Sequence, residues 1–348
     1  MRALRIMKWQ SDPELVEVPK PVPGPGQVVI KVGGAGACHS DLHLLHEFGE
    51  GMLPWNPPFT LGHENAGWVD AVGAGVTRWK EGDAVAVYGP WGCGTCPRCQ
   101  LGIETYCENP MGAPVPGGGG GLGLDGGMAE YMLVPAERLL VPLPANLTPA
   151  VAAPLTDAGL TPYHAVRRSW PKMTPEATVV VIGCGGLGHM GVQFVKATTA
   201  ATVIAVDQKA AALDLARTVG ADHVVTTDDN AATAIRDLTH GLGADVVLDF
   251  VGAEATMKLA MAVARPLGDV TIVGIAGGAF PFTFFSQGYE VSLQTTYWGS
   301  RPELLEVLTL ASRGLVHSEA TEYSLDDAAA AYRDLRAGTV RGRAVIVP

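Results

Sequence analysis

The pattern of apolar and polar positions changes in the middle of the chain. The first part contains short β-branched runs separated by Gly and Pro, at residues 28–32, 67–72, 83–87 and 131–134. Such runs are typical of a β-rich domain with many turns. From residue 178 onward, apolar runs alternate with segments of helical pattern, which predicts a parallel sheet covered by helices on both faces.

The alternating part predicts a series of strands and helices. The strands lie at residues 178–182, 202–206, 223–225, 245–250 and 269–274, and the helices at residues 189–199, 209–219, 231–239 and 255–264. Two further helices, at residues 302–313 and 325–337, precede a final strand at residues 344–347.

The polar start of the last strand, Arg341-Gly-Arg343, indicates that this strand returns to the first domain. We therefore predict a β-rich domain at residues 1–155, a doubly wound domain at residues 156–298, and a return to the first domain at residues 299–348. A chain of 348 residues is long enough for two separate cores.

Composition narrows the class of protein. Apolar residues make up 47% of the chain and charged residues 17%, which is typical of a compact globular protein. The net charge of −11 would repel a polyanionic duplex, and no Lys/Arg cluster offsets it, so we expect no nucleic-acid partner. No apolar run has the length of a bilayer span or of a signal-peptide core. These features predict no membrane partner and a cytoplasmic location.

Four of the six cysteines lie in one short run with the spacing C-x2-C-x2-C-x7-C: Cys93, Cys96, Cys99 and Cys107. Closely spaced thiolates can surround a zinc ion tetrahedrally, and a site with four sulfur ligands is structural because no position stays open. Disulfide pairing or free thiols are the alternatives. Spacing of this kind in a chain of a reducing compartment favours the metal.

The segment Gly183-Cys-Gly185-Gly186-Leu187-Gly188 matches the dinucleotide-binding pattern G-x-G-x-x-G. It follows a predicted strand, opens a predicted helix, and precedes Asp207 at the end of the next strand, which is the required context. Asp207 can accept hydrogen bonds from both ribose hydroxyls and would repel a 2′-phosphate, so the sequence favours NAD over NADP. The alternative is a Gly-rich turn of another doubly wound fold.

Ligand-type residues lie in three further segments: Cys38-His39-Ser40-Asp41-Leu42-His43, Gly62-His63-Glu64, and Leu155-Thr156-Asp157-Ala158-Gly159. Each alone is unremarkable, because a lone His or Cys is more often packed in a core than bound to metal. With these three segments, the cysteine run and the G-x-G-x-x-G segment, which we call the fingerprint segment, the chain resembles the zinc-dependent alcohol dehydrogenases of the medium-chain dehydrogenase/reductase superfamily. It is similar to bacterial secondary-alcohol dehydrogenases, and the motifs follow the family's order along the whole chain.

The resemblance implies a fold and a reaction. The fold is a β-rich GroES-like catalytic domain, formed by both chain ends, with a Rossmann domain between them. The reaction is the reversible transfer of a hydride between an alcohol and NAD, in which zinc acts as a Lewis acid. Secondary alcohols are expected to be favoured, and primary alcohols are also expected to react. The resemblance also implies one catalytic and one structural zinc ion, and a homodimer or homotetramer that pairs edges near residues 282–293.

The resemblance assigns Cys38, His63 and Asp157 as ligands of the catalytic zinc ion. Many members have cysteine at the position of Asp157, so Glu64 stays open as an alternate ligand or a neighbouring group. Asp41 is expected to orient His63 through its second ring nitrogen, although an Asp there could also cap a helix.

Further roles follow from the same resemblance. Ser40 and His43 are expected to carry the substrate proton to solvent, with a plain surface histidine as the alternative for His43. His39 and Arg343 are expected beside the cofactor pyrophosphate.

The substrate channel is expected to include Trp55, Tyr297, Trp298 and residues 122–124, each of which could instead be core packing. Aromatic walls would favour apolar ketones and secondary alcohols. Two alternatives stay open for the activity. One is a polyol, threonine or formaldehyde dehydrogenase of the same superfamily, and the other is a zinc-free binding protein like the quinone-reductase-related crystallins.

Overall fold

The computed structural model describes residues 1–286 and 288–348, and Gln287, inside the predicted pairing edge, lies outside the described residues. The chain forms two compact units. The first contains Met1–Leu160, Gly299–Arg313 and Ser318–Pro348, and the second contains Thr161–Trp298 and Gly314–His317.

The strands, in chain order, are β1 (Arg2–Ile6), β2 (Glu14–Glu17), β3 (Val28–Ala37), β4 (Phe59–Thr60), β5 (Glu64–Val72), β6 (Ala84–Val87), β7 (Gly119–Gly120), β8 (Gly123–Leu124), β9 (Tyr131–Val134), β10 (Leu140–Pro142), β11 (Thr178–Ile182), β12 (Thr202–Asp207), β13 (His223–Thr226), β14 (Ala244–Asp249), β15 (Ala264–Ile272), β16 (Ser292–Thr295), β17 (Ala320–Ser324) and β18 (Arg343–Val347).

The α-helices are α1 (His39–His46), α2 (Pro97–Gln100), α3 (Pro149–Ala152), α4 (Leu160–Arg168), α5 (Gly188–Thr198), α6 (Ala210–Thr218), α7 (Ala231–Leu238), α8 (Glu254–Val263), α9 (Arg301–Ser312) and α10 (Ala328–Ala337). Short 3₁₀ helices lie at Glu104–Tyr106, Pro110–Gly112, Glu137–Leu139, Ala153–Thr156 and Trp170–Lys172. No helix of the described residues is long and apolar enough to cross a membrane.

The first unit is organised around strand β3, the longest strand of its main sheet. The order of that sheet is β10-β6-β5-β3-β18-β17, with β9 also paired to β3. All residues of β3 except Lys31 are buried, because the strand lies in the middle of the sheet. The pairing of β18 with β3 joins the chain's last strand to the main sheet of the first unit.

The second unit is a doubly wound parallel sheet. Its strand order is β13-β12-β11-β14-β15-β16, with all pairings parallel. This is the Rossmann order 3-2-1-4-5-6, in which the direction of winding reverses between the first and fourth strands. The apolar run of β11 is almost entirely buried because helices cover both faces of the sheet. The predicted fold class, a Rossmann domain with a β-rich GroES-like domain, is confirmed.

Two of the differences from the predicted bounds have a clear physical reason. Strand β15 begins at Ala264, directly after α8, whereas the prediction began at residue 269 because Arg265 to Gly268 is not an apolar run. The first unit extends to Leu160 rather than to residue 155, because the 3₁₀ helix Ala153–Thr156 packs against β3 and β5. Asp157 therefore lies in the same unit as Cys38 and His63.

Candidate active site

The register of the main sheet brings distant parts of the chain to one place. In the pairing of β3 with β5, Gly36 lies opposite Glu64, and in the pairing with β18, Ala37 lies opposite Ala344. The residues just beyond β3, just before β5 and at the start of β18 therefore meet at one end of the sheet. These residues are Cys38, His63 and Arg343.

A cluster that we call the mixed cluster forms there from Cys38, His63, Glu64 and Asp157. One ligand-type atom from each lies within 4.8 Å of all the others. The Oδ2 atom of Asp157 is 3.6 Å from His63 Nε2 and 4.0 Å from Cys38 Sγ. Zinc–ligand bonds of about 2.0–2.3 Å place neighbouring ligands of a tetrahedral ion roughly 3.3–3.8 Å apart. The first spacing lies within this range, and the second would have to contract by a few tenths of an ångström on zinc binding.

Asp41 makes two contacts, one that caps a helix and one that faces the mixed cluster. Its Oδ2 atom accepts a hydrogen bond from the backbone N–H of Cys38, the N-cap of α1, at 2.9 Å. Its Oδ1 atom lies 3.1 Å from His63 Nδ1. That contact leaves Nε2 of His63 directed at Asp157, which is the arrangement of a metal-ligating histidine with an orienting carboxylate.

Glu64 pairs with Arg343 in the interior. The Nε atom of Arg343 donates to Glu64 Oε2 at 3.0 Å, and its Nη2 donates to Oε1. A Cβ atom at Gly36 would lie 1.9 Å from Glu64 Oε2, so only glycine leaves room for the carboxylate. Burial raises the pKa of Glu64 to about 7, against the opposing effect of Arg343. The expected role of Arg343 at a pyrophosphate stays a prediction.

The mixed cluster and its neighbours include more groups that can be negatively charged than positively charged ones. Cys38, Asp41, Glu64 and Asp157 can all carry negative charge, whereas Arg343 is the permanent cation beside them. Burial disfavours a charged imidazole, yet the neighbouring carboxylates outweigh burial and raise the pKa of His63 well above its ordinary value. A divalent cation would replace that proton and offset the excess of buried negative charge. The donor set therefore fits zinc.

Helix α1 presents the residues expected to move a proton. The Oγ atom of Ser40 lies 3.4 Å from His63 Nε2, at the metal-facing side of that ring. One turn further, His43 Nδ1 lies 2.6 Å from Glu47 Oε2. His39 and His43 also line a surface pocket of about 470 Å³, together with Leu42, His46, Glu47 and Arg336.

The second cluster, which we call the cysteine cluster, consists of Cys93, Cys96, Cys99 and Cys107, whose sulfur atoms all lie within 4.8 Å of one another. The Sγ atoms of Cys93 and Cys99 are 3.9 Å apart, close to the roughly 3.8 Å separation of two thiolates on one zinc ion. Hydrogen bonds from Thr95 and from the Cys96 backbone lower the pKa of Cys93 to about 6. All four cysteines are free of disulfides, so the cluster fits a four-sulfur zinc site.

The fingerprint segment has the geometry that a dinucleotide requires. Gly183 has a φ of +83°, and a Cβ atom at Gly188 would lie 1.7 Å from the carbonyl oxygen of Gly183. A Cβ atom at Gly185 would project into open space, where the pyrophosphate would approach. Asp207 ends β12, and its oxygens accept hydrogen bonds from the backbone N–H groups of Cys184 (2.7 Å) and Lys209 (2.8 Å).

Comparisons with known proteins agree with this geometry. The family model for the alcohol dehydrogenase GroES-like domain matches residues 24–145, and the model for zinc-binding dehydrogenases matches residues 186–313. An NAD-dependent alcohol dehydrogenase of Sulfurisphaera tokodaii is 37% identical, with 100% of both chains covered. The chain belongs to the zinc-dependent alcohol dehydrogenases of the medium-chain superfamily.

Members of this family differ in their substrates. The crystal structure of the alcohol dehydrogenase from Aeropyrum pernix has a TM-score of 0.91 to this chain at 37% identity, with 100% of both chains covered. A D-arabinose 1-dehydrogenase (NADP(+)) of Saccharolobus solfataricus is 34% identical, and the alignment covers 100% of this chain and 97% of that protein. Membership of the family therefore leaves the substrate to be argued from the site.

The predicted pocket residues lie in both units of this alcohol dehydrogenase. In the first unit, Trp55 packs edge-on against Phe59 with ring centroids 5.4 Å apart. A Cβ atom at Gly123 would lie 2.6 Å from the indole of Trp55, so residues 122–124 pack closely on that ring. In the second unit, Tyr297 is half exposed and Trp298 is buried, with ring centroids 5.7 Å apart. Their part in a substrate channel stays a prediction.

Two residues near the site carry no local signal in the sequence. Glu47 contacts His43 because they are one helical turn apart, a spacing that becomes meaningful only once α1 is known to be a helix. Tyr332 lies far along the chain, yet its hydroxyl is 2.9 Å from Asp41 Oδ2. The packing of α10 against α1 creates that contact.

Proposed function

We propose that this protein is an NAD-dependent, two-zinc alcohol dehydrogenase that interconverts alcohols with aldehydes and ketones, with secondary alcohols as the better substrates. The observation that carries the proposal is the mixed cluster. Three unlike ligands from separate segments, Cys38, His63 and Asp157, meet beside the hydroxyl of Ser40. A set of three protein ligands leaves a fourth position for substrate, which is typical of catalytic rather than structural zinc.

The chain's own residues would hold the reactants and move the proton. Zinc, when bound, polarises the substrate oxygen, and NAD accepts the hydride. Ser40 Oγ would accept the proton of the substrate hydroxyl and release its own, because it lies next to the metal-facing nitrogen of His63. His43 would receive that proton at Nε2, since its Nδ1 is engaged by Glu47.

The Asp207 carboxylate and the two ligand clusters support the choice of cofactor and metals. The backbone N–H groups of Cys184 and Lys209 hold the Asp207 carboxylate at the end of β12, where an adenosine ribose would lie. A 2′-phosphate at that place would meet a fixed negative charge. The cysteine cluster would hold the second, structural ion. Both ligand clusters argue against a zinc-free binding protein.

The preference for secondary alcohols rests on the aromatic group formed by Trp9, Trp55 and Phe59. Trp55 and Phe59 lie in the segment that leads to His63 in the chain. Apolar walls favour apolar substituents on both sides of a carbinol carbon. Oxidation of a sugar or polyol is the second candidate. It is favoured by the full-length similarity to the D-arabinose dehydrogenase.

We also propose that the enzyme is a homodimer or homotetramer of a reducing, cytoplasmic compartment. Large apolar side chains are exposed near the edge strand β16, namely Phe282, Phe284, Phe285 and Tyr289. An exposed apolar patch beside an unpaired edge is typical of a subunit interface. Six free cysteines, four of them gathered for a metal, are typical of a reducing environment.

Initial rates with NAD and NADP against a panel of primary alcohols, secondary alcohols, polyols and aldoses test the proposal, together with the zinc content of the fresh enzyme. We expect two zinc ions per chain and the highest kcat/KM with NAD and a secondary alcohol. A higher kcat/KM for an aldose would favour the second candidate. Fewer than two zinc ions in an active enzyme would contradict the metal assignment.

A further inference from the structure

A buried tyrosine contacts the carboxylate that faces the zinc ligand His63. Tyr332, on α10, has its hydroxyl oxygen 2.9 Å from Asp41 Oδ2. The other oxygen of that carboxylate lies 3.1 Å from His63 Nδ1. Tyr332, Asp41 and His63 are all at most 4% exposed. A continuous chain of polar contacts therefore joins α10 to the mixed cluster.

The donors around Asp41 come from two different elements. The backbone N–H of Cys38 donates to Oδ2 from the start of α1, and the hydroxyl of Tyr332 donates to the same oxygen from α10. A carboxylate held by one donor can turn about that bond. A second donor from another direction fixes its plane, and Oδ1 then has one orientation toward His63. Hydrogen bonds to an ionised acceptor are also stronger than neutral ones.

The hydroxyl of Tyr332 acts as a hydrogen-bond donor. Burial, and then the negative charge of Asp41, raise the pKa of Tyr332 well above its ordinary value. The sulfur atom of Met128 lies 3.0 Å from the same oxygen, but a thioether is a weak acceptor beside a carboxylate. The hydroxyl proton therefore points to Asp41.

We propose that Tyr332 is a positioning residue for the catalytic zinc ion, which acts by fixing the Asp41 carboxylate that orients the ligand His63. This inference rests on the proposed function, because it assumes that the mixed cluster binds zinc. Nothing in the local sequence around Tyr332 indicates the role. It follows from the packing of α10 against α1 and from the two contacts of Asp41.

Tyr332→Phe is the direct test, because it removes the hydroxyl and keeps the ring. The measurement is the affinity of the mixed cluster for zinc alone, by competition with a chromophoric chelator while the cysteine cluster stays loaded. We expect affinity to fall about tenfold, the lower end of the range for groups that orient metal ligands. Tyr323→Phe is the matched control, because its hydroxyl also donates to an aspartate, Asp334, at 2.9 Å. It should leave zinc affinity unchanged.

A double-mutant cycle with Asp41→Asn separates positioning from simple packing. If Tyr332 acts through Asp41, Tyr332→Phe should change zinc affinity less than about twofold in the Asp41→Asn background. A tenfold loss in both backgrounds, or no loss in the wild-type background, would overturn the inference. Absence of any zinc binding at the wild-type mixed cluster would instead overturn the proposed function.

Thermal unfolding checks that each variant is folded. A second measurement covers the case in which Tyr332→Phe does not fold: 3-fluorotyrosine placed at position 332 keeps both the ring and the hydroxyl. Its ¹⁹F resonance should move when zinc is added to the enzyme, and the Asp41→Asn background should abolish that movement. A resonance that does not move on addition of zinc in the wild-type background, or that moves equally in the wild-type and Asp41→Asn backgrounds, would contradict the inference.

Discussion

The cysteine cluster and the mixed cluster are both built from four ligand-type residues, yet they are assembled in opposite ways. The cysteine cluster comes from one continuous segment, and its residues are partly exposed except for Cys99. The mixed cluster comes from separate segments that the main sheet holds together by register, and most of it is buried. We therefore expect the continuous cysteine segment to need a bound ion to stay folded, and the ligands fixed by the sheet to keep their places without one.

Removal of metal should show this difference most strongly. We expect a chelator to remove one zinc ion first, from the mixed cluster, because three protein ligands and an open position bind less firmly than four thiolates. Activity should fall to zero at that stage, with circular dichroism and the unfolding temperature nearly unchanged. Removal of the second ion should then lower the unfolding temperature.

Zinc content, rate and unfolding temperature, measured on the same samples during dialysis, check this order. Readdition of zinc after the first stage should restore the rate. Loss of both ions in a single step, or unfolding that accompanies the first ion, would contradict the comparison between the two clusters.

Single substitutions sharpen the same comparison. Asp157→Ala leaves two ligands, so its kcat/KM should fall further than that of any variant described below, while the sheet keeps the chain folded. Cys107→Ser should instead lower the unfolding temperature and release zinc, because one thiolate is lost from a segment that depends on its ion. Glu64→Ala tests the ligand assignment. If Glu64→Ala loses its zinc and Asp157→Ala retains it, the two roles must be exchanged.

The way each region is assembled also explains what the sequence could predict. The cysteine cluster and the fingerprint segment are continuous motifs, and the spacing of their residues indicates what they bind. The helices and strands around Asp207 could be predicted from apolar periodicity. The pairing of Glu64 with Arg343, and the contact of Tyr332 with Asp41, join residues hundreds of positions apart. Only the register of β18 on β3 and the packing of α10 create these contacts, and no local pattern encodes them.

The mixed cluster is intermediate between the continuous motifs, which the sequence could predict, and the long-range contacts, which it could not. Its ligands could be named because the family resemblance supplied three separate motifs, and no spacing within the chain could have done so. Asp41 is a residue for which the sequence offered two interpretations and could not choose between them. Capping a helix and orienting His63 were alternatives in the sequence, and the two oxygens of one carboxylate make a contact for each: Oδ2 with the Cys38 backbone N–H and Oδ1 with His63.

Ser40→Ala should have the next largest effect, because Ser40 Oγ lies beside the metal-facing nitrogen of His63. Its kcat/KM should fall by about 10²–10⁴, the usual range for a positioned proton-transfer group. Zinc content should stay at the wild-type value, unlike that of Asp157→Ala. Ser11→Ala, at an exposed hydroxyl in the same unit, is the control. A loss of zinc from Ser40→Ala would mean that the residue supports the metal instead of the proton.

Asp207→Gly tests the cofactor site, which is a continuous motif like the cysteine cluster. We expect the preference for NAD over NADP to narrow by about tenfold or more, because both the ribose hydrogen bonds and the repulsion of a 2′-phosphate are lost. Asp228→Gly is the matched control, since Asp228 also accepts a backbone hydrogen bond two residues on. Steady-state kinetics with both cofactors give the ratio. An unchanged ratio would show that another residue selects the cofactor.

His43→Ala should have the smallest effect, because His43 is the outer member of the proposed proton route and water can partly replace it. His43 is about one-fifth exposed and lies in the open pocket with His39 and His46. We expect kcat/KM to fall by less than that of Ser40→Ala, with zinc content and unfolding temperature unchanged. His46→Ala, on the same helix and in the same pocket, is the control.

The pH dependence of His43→Ala and its rescue by added bases test the role of His43 more specifically than the size of its loss in kcat/KM. Without an imidazole to accept the proton, the step depends on water and hydroxide, so removal of His43 should leave a rate that rises further with pH. Small bases such as imidazole should restore part of the rate in His43→Ala and none in Ser40→Ala, because the pocket around His43 is open to solvent. An equal loss of kcat/KM in His43→Ala and Asp157→Ala, or rescue of Ser40→Ala by small bases instead, would contradict the proposed order in which Ser40 precedes His43. The proton would then leave the mixed cluster by another path.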